Sequence, residues 1–298
     1  MWRWYAVQET QDLIERLSRT GKRLSKGHRL IAQYITEHYD KAAFMTASRL
    51  GESVGVSEST VVRFASAMGY EGYPQLQRAL QELVRHRLTA NQRFEMAADI
   101  QPMEAFQAVL KRDMQNLRMT LEQASADVFE DVAERLLHAR AIYVMGLRSA
   151  APLAQFLGYY LNYIFDDVHL VSVGSTDVFE EIIKLREDDL LLGISFPRYS
   201  SRTLEAMRFA KRCGAQVIAL TDGPMSPLCE IADATLTART DMASFVDSLT
   251  APLSVINALL VALSLKRREA LSQHFKQLEA IWETYEVYLE EEAHGGKH

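Results

Sequence analysis

Apolar positions in this chain follow one period ahead of Arg140 and another after it. In the first part they recur every three or four residues, the spacing of an amphipathic helix. LSKGHRLIAQYITEHYD puts Leu24, Ile31 and Ile35 on one stripe with Leu30 and Tyr34 beside it, which predicts a helix from about Ser25 to His38. Two shorter helices follow: Ala47–Val54 behind an N-cap at Thr46, and about Glu58–Met68 behind an N-cap at Ser57. Gly55 supplies the turn between them and Gly69 the C-terminal stop. After a turn at Gly69 and Gly72, Pro74 suits a helix start, and Leu76, Leu80 and Leu83 continue an apolar face. Beyond Arg140 the pattern becomes short apolar runs, AIYVMG, HLVSVG, LLLGIS, QVIALT and ATLTA, separated by helical stretches. That alternation predicts a five-stranded, doubly wound parallel sheet of flavodoxin-like type, covered on both faces.

The segment Thr46 to Gly69 reads as a helix-turn-helix. Gly51 is small where two helices nearly touch, and Gly55 can take the positive φ a tight turn needs. On the second helix Glu58, Ser59, Thr60 and Arg63 are expected to be exposed, with Val61, Val62 and Phe64 on the buried side. A major groove would receive the N-terminal half of this helix. Arg63 can then read a guanine or hold a phosphate, and Ser59 and Thr60 can do either. Thr46 and Ser48 are candidates for phosphate contacts at the start of the preceding helix, and Ser57 and Glu58 complete the expected DNA-facing set. The bland alternative is a helical hairpin that merely packs. The segment from about Leu24 to Leu83, above all GVSESTVVRFASAMGYEGYPQLQ, resembles the N-terminal domain of the MurR/RpiR family of bacterial transcription regulators. The resemblance implies a DNA-binding head in front of a sugar isomerase (SIS) domain.

Between head and body, a polar stretch reads as two helices broken at Asp99–Pro102. The second, about Met103 to Glu122, carries Phe106, Val109, Leu110, Met114, Leu117 and Leu121 in a stripe expected to pack on the body or on a second subunit. In the body, ligands are expected beyond the carboxyl ends of the strands, between the first and third. The first strand ends in GLRSA, which brings Gly146, Arg148 and Ser149 there. The third ends in ISFPRYSSRTLEA, which brings Ser195, Arg198, Ser200, Ser201 and Thr203. Ser175 and Thr176 follow the second strand near the same end. Helix N-termini, hydroxyls and two arginines favour an anion. Each hydroxyl taken alone is equally a helix cap.

The body resembles a SIS domain over roughly Gln123–Leu265, through the GLRSA and ISFPRYSSRTLEA turns, the LTDGPMSPLCEIADATL stretch and the long helix after Asp247. The resemblance implies a phosphorylated sugar as ligand. Laid on the family's S-x-S-G-x-T core, Ser195 and Ser200 keep the outer hydroxyls, Pro197 replaces the middle serine and Arg198 the glycine. Proline removes a backbone donor, and a side chain in place of glycine restricts close approach. No general base stands out: Glu180, Glu181 and Glu205 sit naturally on helix surfaces, and His169 is a strand residue.

Charge divides as the pattern does. Residues 1–93 carry a net +5 and the remainder −11, which suits a DNA-binding head on an acidic body. No apolar run is long enough to span a bilayer, the N-terminus lacks a signal-peptide core, and Cys213 and Cys229 form neither a metal spacing nor a disulfide framework. A reducing cytoplasm is expected, with no cofactor and no metal. The expected organisation is a head over residues 9–86, a helical linker over 87–122, a SIS domain over 123–265, and a C-terminal helix and tail over 266–298. In that last segment Trp282, Tyr285 and Tyr288 can dock on the body or a partner. The expected function is a transcription regulator, most simply a repressor of carbohydrate metabolism genes. Its expected partners are double-stranded operator DNA, a small anionic metabolite, and itself as homodimer or homotetramer. The alternatives are a sugar-phosphate isomerase with an accessory helical domain, and a constitutive DNA-binding protein whose body only oligomerises.

Overall fold

A computed structural model of the chain describes residues 24–85, 90–95, 101–172 and 177–288. Ser175, Thr176 and the polar tail beyond residue 288 lie outside the described residues, as does the side chain of Leu83. The head comprises α1 (Lys26–Glu37), α2 (Tyr39–Ala42), α3 (Ala47–Val54), α4 (Glu58–Ala67) and α5 (Tyr73–Arg85). Its core is built from one face of each longer helix: Ile31 and Ile35, Leu50, Val61 and Phe64, Leu76 and Leu80 are fully buried or nearly so. From α5, Tyr73 Oη and Gln77 Nε2 both donate to the Met45 carbonyl, each at 2.7 Å, fixing the approach to α3. Burial pushes the Tyr73 phenol up to about 12, so it stays a donor throughout the neutral range.

The turn between α3 and α4 follows the expected chemistry. Gly55 has φ 72° and Gly69 φ 89°, both left-handed. Thr46 caps α3 through its hydroxyl, which accepts from Arg49 N at 3.2 Å. Ser57 has the extended backbone of an N-cap but makes no such bond; its hydroxyl pairs with those of Ser59 and Thr60 at 2.9 Å. Val62 was expected inside and is 40% exposed. Val61, Phe64, Ala65 and Met68 already fill the inward stripe at intervals of three and four. One residue of helical rotation past Val61 carries Val62 out of it.

The linker holds α6 (Ala90–Glu95) and α7 (Ala105–Gln123), the latter entered through a single turn of tighter helix at Pro102–Glu104. The body holds α8 (Ala126–His138), β1 (Ile142–Gly146), α9 (Ala151–Ile164), β2 (Val168–Val171), α10 (Val178–Ile182), β3 (Leu190–Ile194), α11 (Ser201–Arg212), β4 (Gln216–Thr221), β5 (Ala234–Thr237), α12 (Thr250–Lys266) and α13 (Arg268–Thr284). The strands run parallel in the order β2-β1-β3-β4-β5. Ile142 pairs with both Val168 and Leu190, and Leu190 with Gln216. Alternate residues serve opposite faces. Ile142, Val144, Leu190 and Leu192 meet α8, α9 and α12, while Tyr143, Met145, Leu191 and Val217 meet α10 and α11. With both faces covered, β1 and β3 are buried along their whole length and read as unbroken apolar runs. On α13, Trp282 meets the Tyr163 ring of α9, at 6.4 Å between centroids.

The linker departs from its expected polarity. The stripe on α7 does not pack on the body: Phe106, Met114 and Leu121 are 74%, 62% and 78% exposed. The buried residues of α7 are Asn116 and Thr120. A polar face therefore docks inward because the loop it meets offers backbone donors and acceptors rather than apolar side chains.

The α3–α4 contact gives a stability test. A Cβ on Gly51 would lie 2.7 Å from the Val56 carbonyl oxygen, a backbone atom that cannot swing aside. Gly51→Ala is expected to destabilise the head by about 1–3 kcal/mol, read from denaturant unfolding of the full chain.

Candidate functional site

The outward face of α4 is formed by Glu58, Ser59, Val62, Arg63 and Ser66, all exposed. Arg63 folds back along the helix, donating from Nε to the Ser59 carbonyl at 3.2 Å, so its guanidinium sits over the N-terminal half. Thr60 is half-buried beside it. Thr46 and Ser48 are exposed at the start of α3, as is Arg49. Val62 is the member of this face that periodicity missed; the signal was its position one residue past Val61. Its methyls offer the kind of apolar contact that a thymine methyl group accepts.

In the body, a cavity of about 1030 Å³ opens where the turns after β1 and β3 face each other at the strand carboxyl ends. Of the residues expected there, Gly146, Arg148, Arg198, Ser200 and Ser201 line it. Gly146 also has a packing role, since a Cβ there would come within 2.6 Å of the Ala150 carbonyl oxygen. Ser149, Ser195 and Thr203 are not in the lining. Ser195 is buried and its hydroxyl accepts from Ser200 N at 3.1 Å, while the Ser200 hydroxyl accepts from Thr203 N at 3.3 Å and caps α11. Thr203 is fully buried within α11. Sequence reasoning missed Gln155, Ser172, Tyr199 and Arg202 in the lining. Gln155 and Arg202 were legible only as polar residues in the first two turns of α9 and the first turn of α11.

Tyr199 holds the β3 turn in place by donating its phenol proton to Asp222 Oδ1, just past β4, at 2.8 Å. The carboxylates weighed as bases are otherwise engaged. Glu180 completes the capping box of α10, Glu181 Oε2 accepts from Ser172 N at 2.9 Å, and Glu205 lies 3.7 Å from Arg202. His169 stacks on Tyr143 and lies 2.7 Å from Asp167.

Ser149 turns instead toward the loop between β5 and α12, donating to Asp247 Oδ2 at 3.1 Å. The other oxygen of Asp247 accepts from Arg93 Nη1 of α6 at 2.8 Å. Both linker helices grip this loop. Phe94 lies against Phe245, at 6.1 Å between ring centroids. Asn116 exchanges two hydrogen bonds with the Asp241 backbone, at 2.8 and 3.1 Å. Asp113 accepts from the Ser248 and Thr250 hydroxyls, and Thr120 accepts from Arg239 N. A single carboxylate thus touches the turn beside the crevice and the helix that leads back to the head. A second cavity, of about 1070 Å³, is lined by head residues such as Tyr70 and Arg78, linker residues such as Leu117 and body residues such as Val255.

Residues 11–86 match the rpiR-family helix-turn-helix domain and residues 135–262 match the SIS domain. The chain thus carries an rpiR-family helix-turn-helix domain followed by a SIS domain. It is 24% identical to the HTH-type transcriptional regulator HexR of Pseudomonas aeruginosa over 276 residues, 90% of this chain and 94% of that one. An HTH-type transcriptional regulator of Clostridium perfringens is 23% identical over 76% of this chain and 81% of its own. Among solved structures, the sugar isomerase domain of an RpiR transcription factor from Sphaerobacter thermophilus is 28% identical, with a TM-score of 0.57, over 59% of this chain and 99% of that one. NanR of Vibrio vulnificus, solved with ManNAc-6P, shares the fold at 21% identity and a TM-score of 0.54, over 90% of this chain and 97% of that one. This regulator therefore joins an rpiR-type helix-turn-helix head to a SIS-type body, and no described helix is long and apolar enough to cross a membrane.

Proposed function

We propose that this regulator works in the cytoplasm as a repressor of carbohydrate metabolism genes, sensing a phosphosugar in the crevice between the β1 and β3 turns. The observation that carries the reading is that crevice itself: an arginine-lined cavity at the strand carboxyl ends, tied through Asp247 to the linker of a DNA-binding head. The ManNAc-6P held by NanR, a protein of the same fold, supports a sugar phosphate as the class of effector. Arg198, Ser200 and Ser201 at the start of α11 are the proposed phosphate contacts, with Arg148 and Ser172 across the crevice. Sensing rather than isomerisation fits the absence of any carboxylate or histidine from the described lining. A thermal-shift screen of the full chain against phosphosugars, free sugars and sugar acids tests this, since a ligand of the folded state raises the melting temperature. Turnover of any sugar phosphate would instead make the protein an isomerase.

At the head, the proposed contacts are Arg63 and Val62 to base edges, with Ser59 and Thr60 beside them, and Thr46, Ser48, Ser57 and Glu58 at the two helix starts. On an operator selected from random duplexes, Arg63→Ala is expected to weaken binding by about 1–3 kcal/mol and Val62→Ser by about 1 kcal/mol. Operator affinity unchanged by both variants would remove α4 from the groove.

The α7 stripe supports self-association. Phe106, Val109, Leu110 and Met114 stand 46–74% exposed on it, and a second copy of α7 offers a matching face. Met114→Glu with Leu121→Glu is expected to lower the oligomeric state seen in analytical ultracentrifugation; an unchanged sedimentation coefficient would place the interface elsewhere.

Signal transfer is assigned to Asp247. An effector that draws in the Arg148 turn moves Ser149, and with it the carboxylate that holds Arg93. Ligand shifts operator affinity only if it prefers one arrangement of this junction. Asp247→Asn is expected to bind effector but to lose most of the effector-dependent change in operator affinity, read by fluorescence anisotropy. A full response in both Asp247→Asn and Arg93→Met would rule this route out.

A further inference from the structure

Resting on the reading of the crevice as the effector site, we infer that its effector carries two separated anionic groups, a phosphate and a second acid group at the other end of a short sugar chain. Three arginines line the crevice, Arg148 from the turn after β1, Arg198 from the turn after β3, and Arg202 from the first turn of α11. No aspartate or glutamate belongs to that lining among the described residues. Arg202 is partly balanced by Asp177 at 3.6 Å and Glu205 at 3.7 Å. Arg148 and Arg198 have no ion pair or hydrogen-bond acceptor among the described residues.

The backbone sharpens the point. Arg148 has φ 57° and Arg198 φ 66°, left-handed values that an L-residue adopts at a cost of about 1–2 kcal/mol. Among the described residues, Glu286 is the one other non-glycine residue with positive φ. Glycine would occupy both turns without strain. Folding therefore disfavours arginine at two symmetrical places, one on each side of the crevice. What arginine adds at each is a positive charge on a residue that lines the cavity.

One phosphate does not use this charge. A phosphate monoester carries about −1.5 to −2 at neutral pH. Arg198, with the N-terminal turn of α11, suffices to hold it. Arg148 belongs to the neighbouring strand's turn, beside Gln155 on α9. It is left for a second anion, which a planar guanidinium grips through two parallel hydrogen bonds if the group is a carboxylate. A phosphorylated sugar acid and a sugar bisphosphate share the required chemistry.

Isothermal titration calorimetry on the full chain tests this with 6-phosphogluconate, fructose 1,6-bisphosphate, glucose 6-phosphate, gluconate and inorganic phosphate. At least one of the two doubly anionic probes is expected to bind about ten-fold or more tightly than glucose 6-phosphate. The stronger of the two identifies the second group as carboxylate or phosphate. Arg148→Gly is expected to cost the preferred doubly anionic probe about ten-fold more affinity than it costs glucose 6-phosphate, which removes the preference. Arg198→Gly is expected to weaken every phosphorylated probe. Both variants should melt at or above the wild-type temperature, because glycine relieves the left-handed strain. Glucose 6-phosphate binding as tightly as both doubly anionic probes, or a preference that survives Arg148→Gly, overturns the inference and leaves the phosphosugar reading standing. Failure of every phosphorylated probe overturns both.

Discussion

A parallel sheet delivers the carboxyl end of every strand to one edge, and the body of this protein is arranged around what that edge can and cannot satisfy. β1 and β3 are buried on both faces, so their side chains are committed to the core. Recognition is left to the turns that follow them. Those turns must reverse direction within a few residues, which forces unusual backbone at Arg148 and Arg198 and brings the start of α11 to the gap. The same turn that lines the crevice carries Ser149, and Ser149 reaches the Asp247 carboxylate. The edge of the sheet thus forms the crevice and carries the contact that ties it to the loop before α12.

The path outward is short and polar. From Asp247 it crosses one charged contact to Arg93 and enters α6, the helix next along the described chain from the head. The loop before α12 works as a belt, gripped by Asn116, Thr120 and Asp113 of α7. A buried charge pair contributes little net stability once its desolvation is counted, yet removing one partner is costly. Such a pair suits a junction that must hold one arrangement and be able to adopt another.

The fold was legible in the sequence wherever local chemistry and tertiary packing asked for the same residue. Thr46, Gly55 and Gly69 sit at the cap, turn and stop that their types favour, and the five apolar runs became five strands because both sheet faces are covered. Legibility failed where packing chose among residues that period alone treats alike. Val62 lies next to an inward residue and faces outward. The α7 stripe looked like a core face, but the loop it meets presents backbone hydrogen-bonding groups, so Asn116 and Thr120 turn inward instead. Ser195 and Ser200 illustrate a third case. Both stand at the crevice-forming turn, yet their hydroxyls also satisfy backbone donors of that turn, a double duty that a linear pattern cannot separate. Gln155 and Arg202 entered the lining because helix geometry brings residues of the first two turns over the strand ends, a matter of three-dimensional placement rather than residue type.

The polar seating of α7 has a thermal consequence. Separating apolar faces exposes surface that raises the heat capacity, whereas exposing polar surface lowers it. The contacts of Asn116, Thr120 and Asp113 with the loop before α12 and the start of that helix therefore add less to the heat capacity of unfolding than an apolar seat of equal area would. The curvature of stability with temperature comes from the sheet and its covering helices, and this junction contributes little to it.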